Sequence, residues 1–171
     1  MLKANRAMRA LLRQYQIDLG AVVPMDLYPI WQEEDALGRP YWGVSNFCGM
    51  GKPSGEALKN LSRAEWDGND TFISTRIPSE IPAMLEITIR FLKAWEEDLT
   101  ESFPDTVFYV FSNYDDGRWQ LEVEPGEEPH RSTTSRLWAV REGQEVGDFS
   151  DFEDWEMPAL MAKCNAPTEK T

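Results

Sequence analysis

Two thiols, one imidazole and thirty carboxylates are what this chain of 171 residues offers for chemistry. The thiols are Cys48 and Cys164, and the imidazole is His130. A Cys–His pair would let the imidazole lower the thiol pKa and create a nucleophile. Nothing in the spacing of Cys48 and His130 brings them together, so no catalytic residues are assigned. The same three residues lack the ligand spacing of a zinc site. The segment Gly49-Met50-Gly51-Lys52-Pro53-Ser54-Gly55 has the composition of a phosphate loop. A Walker loop needs G-x-x-x-x-G-K-[ST], so that backbone N–H groups cradle phosphates at a helix start. Asn46 stands where the first glycine belongs and Pro53 follows the lysine, which leaves an ordinary flexible loop. Asp67-Gly68-Asn69-Asp70 matches only a fragment of an oxygen-ligand metal loop and reads as part of a turn. No cofactor and no metal follow from these residues.

The carboxylates carry more information. Thirty Asp and Glu against seventeen Lys and Arg give a formal net charge of −13. Residues 1–17 hold Lys3, Arg6, Arg9 and Arg13 and no acid, whereas residues 142–156 hold seven acids and no Lys or Arg. An acidic surface repels nucleic-acid phosphates and anionic lipid, so direct nucleic-acid and membrane partners are disfavoured. It attracts a basic protein. The densest stretch runs from Asp148 to Met157, where Phe149, Phe152 and Trp155 recur every three residues. If helical, it has an aromatic stripe flanked by acid. The expected partner-binding surface comprises Asp148, Asp151, Phe152, Glu153, Asp154, Trp155 and Glu156, joined by Asp115 and Asp116 and by Glu97 and Asp98. Glu96–Glu101 and Glu127–Glu128 extend it. A plainer alternative is that the aromatics pin this segment to the core. The basic N-terminal helix has two readings as well: it lies on acidic surface, or it stands apart.

This profile resembles that of small acidic inhibitor or immunity proteins, which block basic nucleases or toxins. The resemblance is one of composition and implies binding, neutralisation and occlusion of a cationic site. Two other readings remain open: a small-ligand protein or carboxylate-dependent enzyme with a pocket lined by sheet aromatics and by Tyr41, Trp42 and Phe47, or a self-associating structural subunit.

The elements that must position these residues follow from periodicity. Residues 2–17 read as a basic amphipathic helix stopped near Gly20, with Ala4, Ala7, Met8, Leu11, Leu12 and Tyr15 on one face. A strand is expected over Tyr41–Cys48, a short helix around Glu56–Trp66, a turn over 66–70 and a strand over Thr71–Ile77. Ile81 to about Leu99 is the strongest helix, with Ile81, Met84, Leu85, Thr88, Phe91, Leu92, Trp95 and Leu99 at three- and four-residue steps. Pro82 fits its first turn. Thr106–Ser112, Arg118–Glu124 and Ser135–Arg141 read as three strands of an antiparallel meander, the first two joined by a hairpin at Asn113–Gly117. The class is α+β, a long helix on an antiparallel sheet. Residues 1–164 are expected to form a single domain and 165–171 a frayed tail. No apolar run approaches the ~20 residues that span a bilayer. The N-terminus lacks the apolar core of a secretory signal, and two distant cysteines do not make a disulfide framework. A cytoplasmic, reducing setting is expected.

Overall fold

A computed structural model of the chain describes residues 1–44, 55, 59–117, 126–144, 146–147 and 149–165. In chain order the elements are β1 (Lys3–Ala4), α1 (Arg6–Gln14), β2 (Ile30–Glu34), β3 (Pro40–Val44), α2 (Leu61–Gly68), β4 (Thr71–Thr75), α3 (Ile81–Ser102), β5 (Phe108–Asp115), β6 (Arg131–Ala139) and β7 (Ala159–Cys164). The fold is α+β: five antiparallel strands in the order β1-β7-β5-β6-β4 carry α3, and β2 and β3 form a separate two-stranded sheet.

The apolar stripe of α3 makes this arrangement. Every stripe residue named above is buried, and Ile89 joins them. The strand register sets the opposing face. Phe108 pairs with Ala139, Val110 with Leu137 and Tyr114 with Thr133, so alternate residues of β5 and β6 point together toward α3. A hydroxyl ladder runs within this otherwise apolar layer. Thr88 Oγ1 lies 2.7 Å from Thr133 Oγ1, and Ser135 Oγ donates to Ser112 Oγ at 2.8 Å. Both flanks of β5 are occupied, by β6 and β7. The strand expected over Arg118–Glu124 lies outside the described residues.

Several expected boundaries move. The helix expected over 2–17 is shorter, because Lys3 and Ala4 pair with Met161 and Leu160 of β7. Asn5 then caps α1 by accepting from Met8 N at 2.8 Å. The helix ends at Gln14 rather than near Gly20, and Gln16 takes a left-handed φ of 58°. α3 continues to Ser102 despite Glu96, Glu97, Asp98 and Glu101, acids that oppose its dipole. Two contacts hold that end. Glu96 accepts from Leu2 N at 3.0 Å and pairs with the terminal ammonium. Asn165 Nδ2 donates to the carbonyls of Leu99, Phe103 and Thr106 at 3.1, 2.9 and 3.0 Å. Asn165 therefore belongs to the folded body, and the rest of the expected tail lies outside the described residues. β6 starts at Arg131, so four residues expected to be loop or linker, 131–134, are strand. β7 was not legible as a strand at all.

The small sheet is fixed by one close approach and one turn. Trp31 lies across Gly43, where an added Cβ would come within 2.0 Å of the indole, so glycine is required there. Asp35 closes the β2–β3 turn by accepting from Leu37 N at 2.8 Å, Arg39 N at 3.0 Å and Arg39 Nε at 2.9 Å. A buried ion pair ties this sheet to α2 and β6. The Glu65 side chain is 1 % exposed and pairs with Arg141. It also accepts from Trp42 N at 3.1 Å and from Ala139 N at 2.7 Å. Burial raises the Glu65 carboxyl, against Arg141 and the two amides, which favour the charged form.

Candidate functional site

The residues first weighed for chemistry are occupied elsewhere or fall outside view. Cys48, Phe47 and residues 49–54 lie outside the described residues. His130 Nε2 accepts from Arg76 Nε at 2.6 Å. Cys164 is a buried free thiol pushed up to about 12 by burial, with Glu96 nearby. Asp67 pairs with Arg63 at 2.9 Å and Asp70 pairs with Arg136, so both acids of the expected metal-loop fragment are bound by arginine. Among the described residues no group of three or more His, Cys, Asp or Glu is arranged to hold a metal. Tyr41 and Trp42 are buried.

The acidic segment 149–156 is held by its aromatics. It contains a single helical turn, Phe152–Asp154, and not a helix with an aromatic stripe. Phe149 stacks on Tyr109 and on Trp138, each at 5.7 Å, on the sheet face away from α3. Trp155 meets Phe111 edge-on at 6.1 Å, and Phe152 is buried. With the aromatics facing inward, the acids are left outside, where basic residues of α1 reach two of them. Arg9 pairs with Glu153 and Arg6 lies 3.6 Å from Asp154. The bond from Arg9 holds the Glu153 carboxyl below its usual range. Asp151 is exposed, and Asp148 lies outside the described residues.

Of the expected acids, the structure brings three together. Asp115, Asp116 and Glu156 line one cleft of about 790 Å³ at the end of β5. β5 ends in Asp115 and Asp116 follows it, and the approach to β7 delivers Glu156. The C-terminal turn of α1 forms the facing wall through Leu11 and Tyr15, and Met157 and Pro158 add apolar surface. Asn5 sets that wall in place. Its Nδ2 donates to Met157 O at 2.8 Å, and its Oδ1 accepts from Ala159 N at 3.1 Å. Arg131 also lines the cleft, but its guanidinium donates to Glu128 Oε2 at 2.9 Å and to Pro129 O at 3.4 Å. Asp115 Oδ1 accepts from Gly117 N at 2.8 Å.

Glu97 and Asp98 stand apart from this cleft. With Asp26 and Glu101 they line a groove of about 320 Å³ between α3 and residues 24–29. Phe103, one residue past α3, contacts Phe108 at the start of β5. Asp115 ends that strand, about 24 Å further on at ~3.4 Å per residue. The acids thus form two clusters rather than one face.

Sequence reasoning did not single out Tyr114, which the cleft places beside Asp115 and Asp116. The signal was present in the alternation of Phe108, Val110, Ser112 and Tyr114, which puts that tyrosine on the helix-facing side. Tyr15 was read only as part of an apolar helix face. Comparison with protein-family models, with curated proteins and with solved structures finds no match. No helix among the described residues is long and apolar enough to cross a membrane.

Proposed function

We propose that this chain is an acidic interaction module, acting in the cytoplasm, that binds and neutralises a basic protein by occluding its cationic site. A nuclease or toxin with a nucleic-acid-binding surface has the required charge. One observation carries the reading: acids from two distant stretches, 115–116 and 156, converge on one cleft with apolar walls. Such a cleft desolvates a cation while offering carboxylates to it, the arrangement in which charge-assisted hydrogen bonds are strongest. The groove holding Glu97 and Asp98 adds long-range attraction for the same partner. Glu153 and Asp154 contribute less, because Arg9 and Arg6 already offset them.

The test is stoichiometric capture. The immobilised chain retains a basic protein near one-to-one and releases it as salt rises, and a variant with Asp115, Asp116 and Glu156 changed to lysine does not retain it. Equal retention by parent and variant, both folded by circular dichroism, sinks the proposal.

A further inference from the structure

One residue of the core cluster, Tyr114, also opens into the cleft. Tyr114 is 6 % exposed, the most buried of the residues lining the cleft. Its backbone N–H donates to Pro158 O at 2.9 Å, but its hydroxyl makes no hydrogen bond among the described residues. Its electrostatic neighbours are Tyr15, Arg131, Asp116 and Asp115, all lining the same cleft. Glu156, on the rim, makes no hydrogen bond or ion pair among the described residues.

We infer that the cleft is an arginine pocket: one arginine side chain of the basic partner enters it, its guanidinium shared between Glu156, Asp115 and the Tyr114 oxygen. This rests on the reading of the chain as a module for basic proteins, and it names the group that enters. Three arguments select arginine. The acceptors are separate groups from two stretches of chain, the end of β5 and the approach to β7, and a guanidinium offers five N–H donors in a planar fork where an ammonium offers three from one point. The aromatic faces of Tyr15 and Tyr114 suit a flat cation. Leu11, Met157 and Pro158 give the aliphatic stem an apolar wall. The phenol stays protonated at neutral pH, because burial, with Tyr15, Asp116 and Asp115 against Arg131, pushes it up to about 12. Its oxygen can therefore accept from the guanidinium.

The probe is a fluorescein-labelled Gly/Ser heptapeptide with one central arginine, read by fluorescence anisotropy against the full chain at low salt. Versions with lysine and with citrulline at the same position separate fork geometry from charge. The arginine peptide is expected to bind at least 3-fold tighter than the lysine peptide, and the citrulline peptide not to bind at the same concentrations. Tyr114→Phe keeps the ring and is expected to weaken the arginine peptide by at least about 10-fold, the low end for one hydrogen bond to a charged group. Glu156→Gln, at an exposed position that does not threaten folding, is expected to weaken it similarly, whereas Asp151→Asn leaves it unchanged. If Tyr114→Phe and Glu156→Gln bind the arginine peptide as the parent does, the pocket is overturned while a basic-protein module survives. If neither this peptide nor nona-arginine binds, both ideas fall.

Discussion

Glu65 and Glu156 are the same side chain used in opposite ways. Glu65 is sealed between α2, β3 and β6, and both its oxygens are taken by Arg141 and two backbone amides. Glu156 stands at the rim of a cleft beside a tyrosine hydroxyl with no partner of its own. The first is a closed constellation, in which desolvation is met by internal donors and nothing is left to offer a ligand. The second is open. The difference teaches that the acidity of this chain is of two kinds, and net charge does not separate them. Glu65, Asp35, Glu96 and Asp70 are structural acids with donors supplied by the fold. Glu156 and Asp115 keep acceptor capacity in reserve.

Removing either half of the closed pair should give the largest effect. Glu65→Ala strands the Arg141 guanidinium and two amides, and Arg141→Ala strands a buried carboxylate. Each should cost about 3–5 kcal/mol in urea unfolding. The double variant Glu65→Leu/Arg141→Met should cost less than either single change, since no charge is left unpaired. Additive losses would show that the two residues do not act as a pair.

Asn5→Ala comes next, at about 2 kcal/mol, from loss of the α1 cap and of the bonds to Met157 and Ala159. It breaks the comparison from the other side, because α1 is a wall of the cleft. Arginine-peptide binding should weaken although no cleft carboxylate has changed.

Acid titration gives a third test. Burial alone would raise the Asp35 carboxyl, but the amides of Arg39 and Leu37 and the Arg39 guanidinium outweigh it and hold the group below its usual range. A lowered folded-state pKa means that this stabilisation is present above the unfolded value, near ~3.9, and is lost as pH falls through the folded one. Asp35→Asn should therefore be less stable than the parent at pH 7, with a gap that closes below about pH 4 as the parent protonates. A constant gap across that window would remove Asp35 from the structural acids. The smallest stability effect belongs to Glu156→Gln, whose melting midpoint should match the parent's. A clear drop would mean that Glu156 is structural after all.

How much of this was legible depends on where each signal lay. α3 and β5 could be read because their periodicity is local: one stripe at helical spacing, one β-branched and aromatic run. β1 could not, because two residues carry no pattern and Lys3 and Ala4 are strand only through residues 160–161. β7 was hidden by the acidic run before it, and the start of β6 by its hydroxyl residues, which composition assigns to a loop. Ser132, Thr133 and Ser135 are buried instead, with Thr133 and Ser135 satisfied by hydroxyls on α3 and β5. In the site, Asp115, Asp116 and Glu156 were visible as charge, but their convergence was not. It is created by Asn5 across some 150 positions of sequence, a distance over which neither composition nor spacing speaks.

That long tether has a consequence for the order of events during synthesis. At roughly 5–20 residues per second, the 152 positions from Asn5 to Met157 take about 8–30 s to translate. Throughout that interval Asn5 lacks its partners at Met157 and Ala159, and α1 lacks β7. The cleft acquires its rim and its facing wall only after Glu156–Pro158 have left the ribosome, so a chain stopped short of them lacks it. On the proposed reading, a basic partner meets no complete cleft until those residues have emerged.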